Sequence, residues 1–224
     1  MSPSPHRNRR RAFVALVGVT ALLLGSCHGS DKKATARTTE VPATDAKGKP
    51  RVSLAFALGA REVHSVDPPK PFDLPLARKI QKLVNDYFAT GVARPLFTGS
   101  LSAGLVRYFS PALATRVGTK GRDRPALTDE NEPVMTDVTG VDKQPLALVG
   151  LQLHGLMVMI GARFALTVKG ETEQGLLSIS RVGNLLLEPD AKKQWHITGY
   201  TVIVNRDTPT SSTTTKASTT TVAK

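Results

Sequence analysis

The 224-residue sequence predicts an α+β domain in which N-terminal helices pack on an antiparallel sheet, with disordered segments on either side. Apolar residues recur at helical spacing between residues 74 and 117. From about residue 134 to residue 204 the apolar pattern has period two, which is typical of strands. Aromatic residues make up only 5% of the chain, so the core is expected to consist mostly of Val, Leu and Ile.

The N-terminus combines a basic stretch at residues 6–11, an apolar run at residues 12–24 and the only cysteine of the chain. The apolar run is shorter than the roughly 20 residues that span a bilayer. It leads into four residues that resemble the lipobox of bacterial lipoproteins, Leu24, Gly25, Ser26 and Cys27. The resemblance implies that a signal peptide, residues 1–26, is removed and that Cys27 receives a diacylglycerol. An ordinary secretory signal with an incidental cysteine is the alternative.

This N-terminus predicts an exported protein that the lipid on Cys27 holds at the outer face of the cytoplasmic membrane. Residues 10–14 also resemble a twin-arginine signal, so the export route stays open between the general secretory and twin-arginine pathways. A single cysteine excludes an intramolecular disulfide, a redox pair and an all-cysteine zinc site.

The net charge of +12 is distributed unevenly along the chain. Four arginines lie in the signal peptide, and residues 31–51 carry six basic and three acidic side chains. Residues 52–206 carry 18 basic and 14 acidic side chains, which is typical of an ordinary solvated surface. We therefore expect no nucleic-acid partner.

Two segments flank a single α+β domain that is predicted at residues 51–207. Residues 27–50 are rich in Thr, Ala, Lys and Pro and predict a flexible tether, whose reach as a coil is roughly 25–30 Å. Residues 208–224 form a Thr-rich tail that is predicted to be disordered. The composition of the tail leaves its glycosylation open.

The helical half of the domain is expected to follow a short strand at residues 52–58. An apolar stripe at helical spacing runs through residues 76–88, with Asp73 placed to cap this helix and Gly91 to end it. A second helix is predicted at residues 103–117.

One further helical turn, at residues 126–129, precedes the predicted strands. The strands are expected at residues 134–141, 146–161 with a continuation over 164–168, 177–187 and 195–204. Polar turns are expected at residues 169–174 and 188–193. One face of the third strand carries Leu177, Ile179, Leu185 and Leu187.

The last predicted strand is apolar on both sides, so we expect it to be covered rather than to form a bare edge. One side is expected to carry Trp195, Ile197 and Ile203. The other is expected to carry Tyr200, Val202 and Val204. Trp195, the only tryptophan, is predicted to lie partly buried at a rim of the sheet.

The order of helices followed by strands, and the ending Trp-x-Ile-x-Gly-Tyr-x-Val at residues 195–202, resemble the nuclear-transport-factor-2-like fold. Within this fold, the sequence most resembles small exported lipoproteins of actinobacterial type. The resemblance covers residues 74–206. It implies a cone-like, curved sheet of three to five strands with a pocket between sheet and helices, and it implies no particular activity.

Enzymes of that fold place an Asp or His base and a Tyr or Asp donor in the pocket. The groups available here are Asp86, Tyr87, His154, Arg163, His196 and Tyr200. Sequence spacing forces no pair of them together, so we predict no catalytic residue. His154 is expected to be a structural histidine in an apolar strand, and His196 to lie at the surface. The candidate ligand-binding residues are Tyr87, His154, Trp195 and Tyr200.

No metal ion or cofactor is predicted for this chain. The histidines that a metal would need are far apart in sequence, at His64, His154 and His196. A cluster of acids lacks the ligand pattern of a calcium loop and is expected to be a solvated turn: Asp129, Glu130, Glu132, Asp137 and Asp142.

Two functions from different classes fit these patterns. The first is a lipid-anchored, non-catalytic binding or scaffolding domain at the cell envelope, which takes a protein partner or an apolar small molecule. Residues 148–160 are apolar on both faces, so one face needs a cover beyond the helices. The second is a small-molecule enzyme of the cone-like fold acting at the cell surface. A buried acid or histidine facing a tyrosine would favour the enzyme, whereas a filled pocket would favour the binding domain.

Replacing Cys27 with alanine is expected to release the chain from the membrane fraction or to leave it as an uncleaved precursor, because the lipid anchor cannot form. Cell fractionation followed by immunoblotting measures both outcomes. A Cys27→Ala chain that still sediments with membranes as fully processed mature protein would contradict the lipid-anchor interpretation.

Overall fold

The computed structural model describes residues 41–42, 51–118 and 120–210 of the chain. The predictions for the signal peptide, the lipobox and Cys27 lie outside the described residues, as do those for residues 211–224 of the predicted tail. Within the described ranges the chain forms a sheet with helices on one side of it, and the predicted α+β class is confirmed.

The first helix, α1 (Leu74–Phe88), begins where the sequence predicts. The Asp73 carboxylate accepts a hydrogen bond from the backbone N–H of Leu76 at 3.0 Å, and this satisfies one of the free donors at the helix start. The buried face consists of Ala77, Ile80, Val84, Tyr87 and Phe88, which is the predicted apolar stripe.

Gly91 does not end this helix, contrary to expectation. The chain continues through a π-helical turn (Ala89–Ala93) into α2 (Arg94–Thr98). Gly91 is buried, and a Cβ atom built on it would lie 2.9 Å from the side chain of Leu105. The glycine therefore allows close packing, and the left-handed turn that ends the helical segment falls at Gly99, whose φ is 65°.

The second predicted helix is divided in two, because Pro111 has no N–H to continue the hydrogen-bond ladder. A 3-10 helix (Ala103–Tyr108) precedes α3 (Pro111–Val117), and the Ser110 hydroxyl caps α3. The short helix α4 (Arg124–Leu127) provides the predicted further turn.

The strands form one sheet around a long central strand. They are β1 (Val41–Pro42), β2 (Leu58–Ser65), β3 (Met135–Lys143), β4 (Leu146–Leu153), β5 (Leu156–Thr172), β6 (Gly175–Pro189) and β7 (Trp195–Thr210). Strand β6 pairs along one edge of β5, and β4 and β3 pair end to end along its other edge. Strand β7 pairs with β6, and β2 pairs with β4.

The sheet is larger than the predicted three to five antiparallel strands, and it is mixed. Strand β2 runs parallel to β4, because the helices between them carry the chain back before it re-enters the sheet. The short β1 adds to the outer edge of β3.

The strand predicted at residues 52–58 is instead an extended segment held by α1. The Asn85 side chain bonds both the N–H and the C=O of Phe56, at 2.8 and 3.2 Å. Leu54 and Phe56 are buried on one side of the segment, which explains the alternation that predicted a strand. The segment therefore bonds a helix where a strand would bond a neighbouring strand, and β2 begins only at Leu58.

The predicted strand at residues 146–161 is divided by a tight turn at His154 and Gly155, whose φ values are 50° and 73°. Apolar residues continue through this turn, so the pattern did not reveal it. In β6, by contrast, the predicted face is confirmed, since its members are at most 4% exposed: Leu177, Ile179, Leu185 and Leu187.

Trp195 is buried rather than placed at a rim, with 8% of its surface exposed. The predicted faces of β7 are also wrong beyond Ile197. Leu187 pairs with Ile197 and Leu186 with Gly199, so Thr198 is an extra residue in the strand. This bulge reverses the alternation and turns Tyr200, Val202 and Val204 toward the same core as Trp195, while Ile203 is 62% exposed.

Replacing Trp195 with alanine is expected to lower the free energy of unfolding by about 3–5 kcal/mol, because it removes a large buried aromatic side chain. Chemical denaturation measures the loss. Leu156→Ala is the control, because Leu156 is 70% exposed and its truncation should cost less than about 1 kcal/mol. Equal small losses in both variants would show that Trp195 is not part of the core.

Candidate functional site

The space between the helices and the sheet contains a buried ion pair. Arg181 of β6 and Asp129, which follows α4, are 2% and 1% exposed. The Nε of Arg181 lies 3.3 Å from Asp129 Oδ2, and its Nη2 donates to Oδ1. The guanidinium also donates to the backbone carbonyls of Ala126 at 2.7 Å and Thr128 at 2.9 Å. Both charges are therefore paired within the fold.

The position of Arg181 follows from the alternation of β6. Residue 181 lies on the same face as Ile179 and Leu185, so the strand turns its side chain toward the helices. A buried positive charge needs several hydrogen-bond acceptors, and α4 and the turn after it provide them. Burial raises the pKa of the Asp129 carboxyl, and the Arg181 guanidinium counteracts part of this rise.

Tyr87 fills the space beside this ion pair. Its hydroxyl donates to the backbone carbonyl of Leu127 at 2.8 Å, and its side chain is 2% exposed. Burial raises the pKa of Tyr87 well above its ordinary value, so the hydroxyl keeps its proton. The part of the interior around this ion pair is thus occupied by side chains that already bond one another or the backbone.

Tyr200 lies at the border of this interior and is half-buried. Its hydroxyl is close to the ion pair of Arg116 and Asp123. Burial raises the pKa of Tyr200, and the negative charge of Asp123 adds to the rise. The Tyr87 hydroxyl bonds the carbonyl of Leu127, whereas the Tyr200 hydroxyl lies beside Asp123 and Arg116, so the two tyrosines have different partners.

The other two candidates lie elsewhere. Trp195 is part of the core, at the start of β7. His154 was expected in an apolar strand, but it occupies the turn between β4 and β5, and its side chain is 91% exposed. Its Nδ1 lies 3.6 Å from Asp67. The four candidates therefore do not line one common site.

Three members of the acidic cluster, which was expected to be a solvated turn, form ion pairs instead, while Asp137 and Asp142 lie in β3. Besides Asp129, Glu130 pairs with Arg124 and Glu132 pairs with Arg206. Among residues 41–42, 51–118 and 120–210, no group of three or more His, Cys, Asp or Glu side chains is arranged to hold a metal ion.

A first groove, which we call the turn groove, lies between α3 and the β6–β7 turn and has a volume of about 580 Å³. His196 faces it, with Nε2 3.4 Å from Asp190 Oδ2. The backbone N–H of Gln194 lowers the pKa of Asp190, and the N–H of Lys192 and the His196 side chain act in the same direction. The groove offers a His–Asp pair with Ser110 at its border.

A second and larger groove lies between the extended segment at residues 51–55 and the helical segment at residues 89–107. It has a volume of about 870 Å³. We call it the arginine groove, after Arg51, Arg94 and Arg107 on its walls. Its described walls also carry the hydroxyls of Ser53, Thr90, Thr98, Ser100 and Ser102, and none of the described lining residues is acidic.

The sequence reasoning missed the three arginines of this groove. They lie 43 and 13 residues apart along the chain, and no local spacing connects them. Arg181 was also missed, but a signal for it existed, because it interrupts an otherwise apolar face of β6. A charge at such a position indicates a buried partner.

Comparison with known proteins gives no relative for this chain. No family model, no curated protein and no solved structure matches it. In the part of the chain that the structure describes, no helix is long and apolar enough to cross a membrane.

Replacing Arg181 with methionine is expected to lower the free energy of unfolding at pH 7 by about 3–5 kcal/mol, because it leaves the Asp129 carboxylate buried without its partner. The loss should be smaller near pH 4. Burial raises the pKa of Asp129 above that of the unfolded chain, so the fold without Arg181 is favoured at low pH and weakened as the pH rises.

Denaturation of the variant at both pH values measures this difference. The double variant Arg181→Met/Asp129→Asn should lose less than the sum of the single variants, since no buried charge remains. Arg206→Met is the control, because its pair with Glu132 is partly exposed and should contribute about 1 kcal/mol or less. Additive losses that do not change with pH would show that Arg181 and Asp129 are solvated.

Proposed function

We propose that the chain is an exported lipoprotein, anchored by Cys27 at the outer face of the cytoplasmic membrane, whose domain binds a small ligand without transforming it. The ligand occupies the arginine groove. The observation that carries this proposal is the contrast between a filled interior and an open groove of about 870 Å³ on the helical side.

The filled interior supports a binding domain over an enzyme of the cone-like fold. A buried acid does lie near a tyrosine, as the enzyme would require. However, the Asp129 carboxylate accepts hydrogen bonds from Nε and Nη2 of Arg181, and the Tyr87 hydroxyl donates to the carbonyl of Leu127. Neither Asp129 nor Tyr87 lines the arginine groove or the turn groove.

The groove has the features of a small-molecule site. Its lining combines the apolar residues Val52, Leu54 and Ala93 with polar and charged ones. The Asn85 side chain fixes the backbone of Phe56 against α1 and so holds the extended segment in place. The ligand therefore meets a wall that is formed before binding, which lowers the entropic cost of association.

Replacing Ala89 with tryptophan is expected to block the groove, because Ala89 is an exposed residue on its wall. Native mass spectrometry of protein purified from membranes measures whether a small ligand remains bound. The wild-type chain and the control Ala112→Trp, a change at an exposed position of α3, should carry the same added mass. Ala89→Trp should lose it.

Retention of the same added mass by Ala89→Trp would overturn the assignment of the ligand to this groove. A wild-type chain that carries no added mass would also count against it. Thermal melting of all three proteins checks that the tryptophans leave the fold intact.

A further inference from the structure

We propose that the arginine groove recognises a phosphate ester, with the phosphate held by Arg51, Arg94 and Arg107. This rests on the proposed function, because it names the chemical class of the ligand that the groove takes. The inference depends on the charge of the groove, on how its arginines are held and on its size.

The charge of the groove is not neutralised within the described residues. Arg51, Arg94 and Arg107 form no ion pair there and line the same groove. Three other described arginines without an ion pair, Arg61, Arg78 and Arg163, lie outside the groove. The remaining five each face a carboxylate: Arg116, Arg122, Arg124, Arg181 and Arg206. The acid whose charge reaches Arg107 is Asp86, and that carboxylate is itself paired with Lys82 at 2.6 Å. Three positive charges thus border one groove without an acid on its described walls.

Two of the arginines are positioned by neutral hydroxyl groups. Arg107 Nη2 donates to the Tyr108 hydroxyl at 2.6 Å, and that hydroxyl lies 3.2 Å from Thr90 Oγ1. Arg94 Nε lies 3.4 Å from Ser100 Oγ. These contacts hold each guanidinium while leaving its charge and most of its five N–H donors available. The groove is therefore arranged in advance for an oxyanion.

The number of cations favours phosphate over carboxylate. One arginine satisfies a carboxylate through two parallel hydrogen bonds, whereas a phosphate group has more acceptor oxygens and a greater charge. The hydroxyls on the same walls provide further donors. The groove volume of about 870 Å³ also exceeds what an inorganic ion needs, so the phosphate is expected to be attached to an organic body that contacts the apolar lining residues.

Two sources could supply such a ligand, a soluble phosphate ester or the headgroup of a phospholipid. The groove is bordered by Arg51, directly after the segment predicted to tether the domain to the membrane. Both sources are within reach of a domain on such a tether, and the shared chemistry is the phosphate ester. The experiment separates them by the probe that binds.

Isothermal titration calorimetry of the full chain with glycerol 3-phosphate and with dihexanoyl phosphatidic acid measures binding. The variants are Arg94→Gln and Arg107→Gln, and the matched control is Arg78→Gln, an exposed arginine of α1 outside the groove. Each groove variant should bind at least tenfold more weakly than wild type, and Arg78→Gln should bind as wild type does. Much tighter binding of the phosphatidic acid would identify a lipid ligand, and equal binding a soluble one.

Two results would overturn the inference. In the first, the wild-type chain binds neither probe. In the second, it binds them, but Arg94→Gln and Arg107→Gln weaken binding no more than Arg78→Gln does. If Ala89→Trp still removes a retained ligand while neither phosphate probe binds, the groove remains the binding site and only the ligand class is wrong.

Discussion

The buried pair of Arg181 and Asp129 determines how the interior of this domain can be used. It connects the middle of β6 with the turn after α4, and backbone carbonyls from that turn complete the partners of the guanidinium. Removing two charges from water is costly, and the cost is offset only because each charge is bonded several times. With Tyr87 packed beside the pair, this part of the interior has a structural role, which is why we place the proposed ligand at the surface.

The arginine groove is formed partly by a helical segment that also packs against the core. Because the chain continues from α1 through the π-helical turn into α2, residues 89–98 provide one wall of the arginine groove. The buried Gly91 allows this segment to approach Leu105 closely. The opposite wall is the extended segment at residues 51–55, which the Asn85 amide holds against α1. The same packing of the helical and extended segments near α1 therefore determines both the core and the shape of the groove.

The sequence pattern predicted those elements that depend on interactions between residues close together in the chain. Asp73 caps α1 through a contact three residues away, and the alternation of β6 reflects one continuous buried face. Features that depend on distant parts of the chain were not predictable in this way. The turn at His154 and Gly155 lies within an apolar run, the bulge at Thr198 reverses the faces of β7, and the segment at residues 52–58 pairs with a helix. The three arginines line one groove only in the folded chain.

The central claim is that a ligand binds in the arginine groove and does not enter the interior beside Arg181. Two-dimensional NMR of the arginine side-chain Nε–H groups tests this claim most directly. During titration with glycerol 3-phosphate, the signals of Arg94 and Arg107 should shift. The signal of Arg181 should exchange slowly with solvent and stay unchanged, because its guanidinium is buried and its Nε–H donates to Asp129. A rapidly exchanging Arg181 signal that shifts with the ligand, while those of Arg94 and Arg107 stay constant, would show that the ligand enters the interior.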